Sequence, residues 1–163
     1  MYADESLIAA SLRFSWIIEG LLAASARPGR YGSMEDHFRY LKENGIKTIV
    51  NLCEDALLAT DGFANQFNIV HVPILDGDIP TEEQMEKIVR TVKESIIGRN
   101  PCLVHCHGGV GRTATVLACV LMLLKEMTLK EALEVLRQSG RHPQNMRQFR
   151  YLEDWMAKYG KDR

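Results

Sequence analysis

The fold is decided by residues 102–113, which read Cys102-Leu103-Val104-His105-Cys106-His107-Gly108-Gly109-Val110-Gly111-Arg112-Thr113. The first residues predict a short apolar strand, and the apolar stretch 114–126 that follows predicts a long helix. The glycines between them let the backbone turn tightly and approach a ligand. A thiol, a ring of backbone N–H groups and a guanidinium at one helix start suit an anion, and phosphate suits them best. The residues predicted to bind it are His107, Gly108, Gly109, Val110, Gly111 and Arg112.

Composition excludes several classes of protein. The 163 residues are 46% hydrophobic and 25% charged, which predicts a single globular domain over residues 1–163. A formal net charge of −1 gives no reason to expect a nucleic-acid partner. The most apolar stretch, 116–124, is interrupted at Lys125 and Glu126, so no membrane partner is expected either. We expect the chain to be a monomer.

The start of the chain and the cysteines indicate a reducing, cytoplasmic location. Asp4 and Glu5 stand where a secretory signal would carry basic residues. The four cysteines lack the paired spacing that is typical of secreted, disulfide-bonded proteins. A zinc site is not expected at Cys102, Cys106 and their histidine neighbours, because residues of one strand cannot all converge on a metal. We therefore expect neither a metal nor a cofactor.

Hydrophobic periodicity and capping signals predict strands that alternate with helices. Such alternation is typical of an α/β fold with a central, mostly parallel sheet that is flanked by helices on both faces. Capping boxes predict helix starts at Thr81 and at Thr128. Further helices are predicted from Ser33, from near Gly111 and around 149–156. The predicted strands are 14–24, 46–52, 69–74 and 102–106.

The side chains of the central loop suit nucleophilic attack on a phosphate. The helix dipole and Arg112 would favour the thiolate form of Cys106. Arg112 can bind two phosphate oxygens at once with its planar fork. Thr113 places a hydroxyl near enough to donate to the thiolate, and His105 could hold the loop by bonding its carbonyls. The competing interpretation, a cysteine merely buried at a strand end, leaves the glycines and Arg112 at these offsets unexplained.

Residues 105–113 resemble the signature loop of cysteine-dependent protein tyrosine phosphatases, and the small size of the chain points to their dual-specificity branch. The resemblance extends over roughly residues 14–159. Residues 45–52 are similar to the family's second strand, 74–80 to its general-acid loop and 144–149 to its glutamine-bearing loop. These segments most resemble the cyclin-dependent-kinase-associated phosphatases, with atypical and archaeal dual-specificity enzymes as near neighbours. The resemblance implies a phosphatase-like fold and hydrolysis through a cysteinyl-phosphate.

The resemblance also implies roles for residues outside the signature loop. Counting back from Pro80, the family pattern places the general acid at Asp76, which would later activate a water against the cysteinyl-phosphate. Asp78 on the same loop is the alternative acid, and either carboxylate could simply cap or solvate a turn. Gln144 and Gln148 would orient that water. Their alternative is to be polar residues at a helix start that face solvent.

Two residues after the second predicted strand have two interpretations each. Cys53 would end that strand beside the one that carries Cys106, and kinase-associated phosphatases have a cysteine in the matching place. The resemblance therefore suggests a reversible Cys53–Cys106 disulfide that protects the thiolate from over-oxidation. The competing interpretation is a small buried core residue. Glu54 either helps to hold Arg112 or is a solvated loop acid.

The sequence is compatible with three functions, of which the first is a protein phosphatase. Phosphatases of phosphoinositides commonly carry lysines at the variable loop positions, where this chain has His107 and small residues, so phosphotyrosine and phosphoserine or phosphothreonine of proteins are favoured. The second class comprises inositol phosphates, phosphoinositides and RNA 5′ ends, with the same chemistry. The third is a phosphate-binding pseudophosphatase. Basic residues predicted at the rim of the site are Arg27, Arg30, Arg39, Arg141 and His142.

Overall fold

A five-stranded sheet forms the centre of the computed structural model, which describes residues 4–58 and 63–160. The strands are β1 (Ser15–Ile18), β2 (Leu22–Ser25), β3 (Thr48–Asn51), β4 (Asn68–His71) and β5 (Cys102–His105). They lie in the order β1-β2-β5-β3-β4, with β1 antiparallel at one edge and the other four parallel. The predicted mostly parallel sheet is confirmed.

Helices cover both faces of this sheet, as predicted. They are α1 (Glu5–Leu12), α2 (Met34–Glu43), α3 (Glu82–Ile97), α4 (Gly111–Leu124), α5 (Leu129–Gln138) and α6 (Met146–Tyr159). Because side chains alternate along a strand, Cys102 and Val104 of β5 enter one hydrophobic cluster while Leu103 enters the other. Residues of α3, α4, α5 and α6 complete the first cluster, and residues of α1 and α2 complete the second.

Local sequence signals account for most helix boundaries. The capping boxes at Thr81 and Thr128 are both formed, and the Ser33 hydroxyl accepts from the N–H of Asp36 at the start of α2. Helix α4 is buried from Gly111 to Met122, which agrees with its nearly continuous apolar sequence. Among the described residues, no helix has the length and apolar character that a membrane crossing needs.

The opening of the chain differs from the prediction in two ways. The single strand expected over 14–24 is wrong: a tight turn, closed by the Leu21 N–H to the Ile18 carbonyl at 2.9 Å, folds this stretch into the β1-β2 hairpin. Apolar residues on both sides of Glu19 and Gly20 hid that turn in the sequence. Helix α1 was not predicted, although Asp4 caps it by accepting from the N–H of Ser6.

The order of the strands determines where a site can form. In parallel strands the carboxyl ends share one edge of the sheet, and β5 lies at the centre between β2 and β3. The loops that follow β2, β3, β4 and β5 therefore meet at this edge, which is where α/β proteins commonly bind ligands. The glycine-rich loop after β5 occupies the middle of it.

Candidate active site

The glycine-rich loop, residues 106–110, joins β5 directly to α4 and holds Cys106 almost completely buried. The Thr113 hydroxyl donates to the Cys106 sulfur at 3.0 Å, so the structure brings the two residues together as the sequence predicted. The carbonyls of His107 and Gly108 accept from the Arg27 N–H and from the Arg13 guanidinium, both at 3.0 Å. The neighbouring segments thus form hydrogen bonds with the carbonyl groups of the loop.

The N–H groups of this loop are left for a ligand. Within the described part of the chain, the N–H groups of residues 107–110 donate to no acceptor. Gly109 makes this turn with φ of +76°, and a Cβ there would lie 2.6 Å from the Ser25 carbonyl oxygen. Only glycine fits such a close approach in the left-handed region. A loop with donors unpaired at the start of a helix is a cradle for an anion.

Arg112 is buried at the first turn of α4 and is held from two sides. Its Nη1 donates to the Ile74 carbonyl at 2.7 Å and to the Glu54 carboxylate, so Glu54 does hold the arginine. Burial would raise the pKa of Glu54, but its own backbone N–H and the Arg112 guanidinium outweigh this and lower it. The second guanidinium nitrogen, Nη2, lies 3.7 Å from the Asp76 carboxylate.

The two candidate acids occupy different positions on the loop 72–80. The Asp76 side chain is 78% exposed and stands next to Arg112. Asp78 turns away, because its carboxylate accepts from the Ile79 N–H and from Arg147 Nε, each at 2.8 Å. The Ile79 N–H and then the Arg147 guanidinium lower the pKa of Asp78, which keeps it ionised. The geometry therefore favours Asp76 as the proton donor.

The two glutamines have different settings in the structure. Gln148 is fully buried, so the solvent-facing alternative is wrong for this residue. Its side-chain oxygen Oε1 accepts from the Gln144 backbone N–H at 2.8 Å. The Gln144 side chain lies against Gly111, where any Cβ would overlap it. Gln144 thus reaches the phosphate cradle, while Gln148 supports the segment that carries Gln144.

Cys53 and His105 pack beneath the glycine-rich loop. Burial lowers the pKa of His105 to about 3, so the ring is neutral at neutral pH. Its Nδ1 lies 3.3 Å from the Cys106 carbonyl and 3.9 Å from the Cys53 sulfur. Cys53 is fully buried, burial raises the pKa of its thiol, and all four cysteines are free thiols. The Cys53–Cys106 disulfide stays a prediction.

Most of the basic residues expected at the rim have structural contacts instead. Arg39 pairs with Asp36, and Arg27 donates to the carbonyls of Asp55 and Ala56. Arg141 is not the free surface cation that was expected, since it is only 2% exposed and donates to the Arg13 carbonyl and to the Ser15 hydroxyl. Burial lowers the pKa of Arg141 to about 10. Arg30 and His142 are exposed, as expected.

The sequence did not indicate Arg13, which borders the cradle. Its guanidinium lies 4.4 Å above the Tyr31 ring and bonds the Gly108 carbonyl. A cavity of about 410 Å³ opens here, lined in part by Arg13, Ser15, Gly108 and Arg141. Arg13 was missed because it caps the C-terminal end of α1, a helix that was itself not predicted. Among the described residues, no group of His, Cys, Asp or Glu side chains could hold a metal ion.

Comparisons with known proteins agree with this geometry. A family model described as a polymorphic toxin system DSP-PTPase phosphatase matches residues 23–126. Tyrosine-protein phosphatase cdc-14 of Caenorhabditis elegans is 30% identical over 133 residues, 76% of this chain and 18% of that protein. Cyclin-dependent kinase inhibitor 3 of Rattus norvegicus is 29% identical over 129 residues, 72% of this chain and 61% of that protein. The chain therefore spans less than two thirds of both relatives.

The chain covers more than two thirds of two further relatives. Human protein tyrosine phosphatase type IVA 3 is 31% identical over 120 residues, 72% of this chain and 69% of that protein. The crystal structure of Tk-PTP in its active form superposes with a TM-score of 0.74 and 28% identity, covering 90% of this chain and 97% of that one. The chain belongs to the DSP-PTPase family, the dual-specificity branch of the cysteine-dependent protein tyrosine phosphatases.

Proposed function

We propose that this chain hydrolyses phosphotyrosine monoesters in proteins, and phosphoserine and phosphothreonine monoesters as well, through a cysteinyl-phosphate. The observation that carries the proposal is the position of the Cys106 thiol at the base of a loop whose N–H groups are unpaired, with the Arg112 guanidinium at its end. We assign the proton donor to Asp76, whose carboxylate lies 3.7 Å from Arg112 Nη2. Membership of a phosphatase family supports the same reaction.

In the first step the Cys106 thiolate attacks phosphorus, so that an S–P bond forms while the ester P–O bond breaks. Asp76 gives its proton to the departing oxygen, which would otherwise leave as a poor alkoxide or phenoxide. The loop N–H groups and Arg112 bind the three remaining oxygens, where charge develops in the transition state. Arg112 is pre-oriented for this by Glu54 and by the Ile74 carbonyl.

In the second step a water molecule attacks the cysteinyl-phosphate. The Asp76 carboxylate takes a proton from that water, the S–P bond breaks, and inorganic phosphate and the thiolate are released. The Thr113 hydroxyl, 3.0 Å from the sulfur, stabilises the departing thiolate by donating to it. Gln144, which lies against Gly111 at the edge of the cradle, orients the water.

A protein substrate fits the surroundings of the cradle better than an inositol phosphate. Recognition of a multiply phosphorylated small molecule calls for cations within the loop itself, and residues 106–110 include His107 but no lysine or arginine. The rim instead offers the exposed Tyr31 between the guanidinium groups of Arg13 and Arg30. An aromatic surface with two arginines suits an acidic peptide segment around the phosphorylated residue.

The experiment is a substrate panel with the purified chain in the presence of a chelator. It compares a phosphotyrosyl and a phosphothreonyl peptide of one sequence, an inositol polyphosphate and a 5′-triphosphorylated RNA. We expect both peptides to release phosphate and Cys106→Ser to lower turnover by at least about 10⁴-fold, since no other nucleophile replaces the thiol. Cys119→Ala, which removes a buried thiol from α4 away from the loop, is the matched control.

Three results would contradict the proposal. Turnover that survives Cys106→Ser would exclude the cysteinyl-phosphate mechanism. Preference for the inositol polyphosphate or the RNA would exclude a protein substrate while leaving the mechanism intact. Tight binding of phosphopeptide without release of phosphate would identify a pseudophosphatase. Trapping of phosphate on the sulfur of the unsubstituted protein by acid quench gives an independent check.

A further inference from the structure

The acid loop, residues 72–80, has no helix or strand of its own and is held from the start of α6. Asn145 Nδ2 donates to the Gly77 carbonyl at 2.8 Å, and Arg147 Nε donates to the Asp78 carboxylate at 2.8 Å. Gln148 Nε2 reaches the Asp78 carbonyl at 3.4 Å. Three side chains from one turn of helix thus converge on two consecutive residues of the loop.

The conformation of the loop explains why these contacts matter for Asp76. The Asp78 N–H donates to the Leu75 carbonyl at 2.9 Å, which closes a four-residue turn with Asp76 and Gly77 at its tip. Gly77 takes φ of +79°, the left-handed conformation that a type II turn requires at its third position. The anchors on Gly77 and Asp78 therefore restrain the backbone that carries Asp76 at the second position of the turn.

The other end of the same turn is bound to the phosphate site. The Ile74 carbonyl accepts from Arg112 Nη1 at 2.7 Å, and this brings the Asp76 carboxylate to 3.7 Å from Arg112 Nη2. The acid loop is therefore bound by Arg112 before Asp76 and by α6 after it. Release of the α6 contacts would leave the anchors before Asp76. These are the bond from Arg112 to the Ile74 carbonyl, the bond from the Ile74 N–H to the Leu52 carbonyl at 3.0 Å, and the bond from Gln84 Nε2 to the Pro73 carbonyl at 2.7 Å.

We propose that Asp78 and Arg147 form an ion-pair latch that holds the acid loop with Asp76 facing the phosphate cradle, so that both are positioning residues. This inference rests on the proposed function, in which Asp76 donates the proton. Arg147 is 65% exposed and Asp78 is 35% exposed, so the pair works in a well-solvated setting. An ion pair of this kind biases the position of the loop by about three- to fivefold, and salt weakens it.

The kinetic test uses Arg147→Met, Arg147→Lys and Asp78→Asn with aryl phosphates of good and poor leaving groups. If the acid loop leaves its position, Asp76 no longer protonates the leaving oxygen. Turnover then falls for substrates with poor leaving groups, which depend on that proton. We expect Arg147→Met and Asp78→Asn each to lower kcat about three- to fivefold for the poor leaving groups and to leave the good ones unchanged. Arg147→Lys should restore most of the loss, because a cation at this point still reaches Asp78.

Two comparisons separate a latch from other roles. The double variant Asp78→Asn with Arg147→Met should be no slower than either single variant, since both changes break one interaction. The value of kcat/KM should decline at alkaline pH as the general acid loses its proton. Both single variants should keep this decline, whereas Asp76→Asn should abolish it. Arg150→Met, which removes another exposed arginine of α6, is the matched control and should change neither quantity.

Hydrogen exchange provides a readout that does not depend on activity. The amide of Asp78 is protected by its bond to the Leu75 carbonyl, so Arg147→Met should raise its exchange rate severalfold while Arg150→Met should not. Unchanged exchange and unchanged kcat for poor leaving groups in Arg147→Met would overturn the latch. So would an equal loss for all leaving groups, or an Asp78→Asn profile without the alkaline decline. Failure of the unsubstituted protein to release phosphate would instead contradict the proposed function.

Discussion

The glycine-rich loop and the acid loop face each other across one site, yet they are built in opposite ways. The glycine-rich loop lies between β5 and α4 and is packed against Ser25, so Cys106 and Arg112 are each only 3% exposed. The acid loop has no secondary structure, and its Asp76 side chain is 78% exposed. Residues about 70 positions further along the chain hold it in place.

The difference follows from what each loop must do. An anion cradle stabilises developing charge only if its donors are already in position, because reorganising them during the reaction would cost the stabilisation that they provide. A proton donor, by contrast, has to admit the substrate and let the product leave, and this favours an exposed segment with weak contacts. The cysteine and arginine of the cradle are therefore buried, while the acid loop, which contacts solvent, is held by solvated bonds.

Among the variants that keep Cys106 in place, the largest effect is expected from the acid loop. Asp76→Asn should lower kcat by about 10³-fold for alkyl and poor aryl leaving groups, and much less for good leaving groups, because general acid catalysis contributes on this scale. The measurement is kcat across a series of aryl phosphates, with Asp78→Asn as the comparison. A larger loss in Asp78→Asn than in Asp76→Asn would show that the acid has been assigned to the wrong residue.

The glycine-rich loop should respond to the addition of a single methyl group. Gly109→Ala places a methyl group 2.6 Å from the Ser25 carbonyl oxygen at a positive φ, so the cradle must shift, and we expect kcat to fall by about 10²-fold with a lower Tm. Gly108→Ala is the matched control for folding, since its Cβ would meet Arg13 at an ordinary 3.5 Å. Equal Tm values for the two variants would contradict the rigid packing inferred for this loop.

The buried histidine beneath the glycine-rich loop should make stability depend on pH. Burial lowers the pKa of His105 to about 3, whereas an unfolded histidine titrates near 6.5, so the unfolded state binds the proton first. The contribution of His105 is present above pH ~6.5 and is lost as pH falls towards 3, by about 1.4 kcal/mol per pH unit. Burial also lowers the pKa of His37, which acts in the same direction.

Chemical denaturation at several pH values between 7 and 4 measures this dependence. We expect His105→Asn, which keeps a donor near the Cys106 carbonyl, to flatten the decline in the free energy of unfolding. His142→Gln changes an exposed histidine and should leave the slope as it is. An unchanged slope in His105→Asn would mean that the ring is protonated without loss of the native packing.

The smallest effect on turnover is expected at Cys53. Under reducing conditions Cys53→Ser should change kcat less than about twofold, since the residue lies beneath the cradle and not within it. After mild peroxide, the unsubstituted protein should recover activity with a thiol reductant, while Cys53→Ser should stay inactive through over-oxidation of Cys106. Cys119→Ala is the control. Full recovery of Cys53→Ser would leave Cys53 as an ordinary core residue.

Local signals predicted the parts of this fold that depend on neighbouring residues. The capping boxes at Thr81 and Thr128, the buried helix after Gly111 and the Thr113 contact to Cys106 all lie within a few positions of the residues that indicate them. A single strand was predicted over 14–24 because the turn between β1 and β2 carries a weak local signal. In the structure, the pairing of β2 with β1 and with β5 fixes the hairpin. A short helix such as α1 depends on packing more than on propensity.

The sequence by itself determined the chemistry: a cysteine, glycines and an arginine at these spacings form an anion cradle wherever a strand leads into a helix, because backbone geometry alone turns the N–H groups inwards. Only the tertiary structure gave the two aspartates different surroundings, because Arg112 and Arg147, which contact them, are distant in the chain. It likewise placed Arg141 in the interior and Glu54 on Arg112. Such contacts are set by how the elements pack, and no local pattern encodes them.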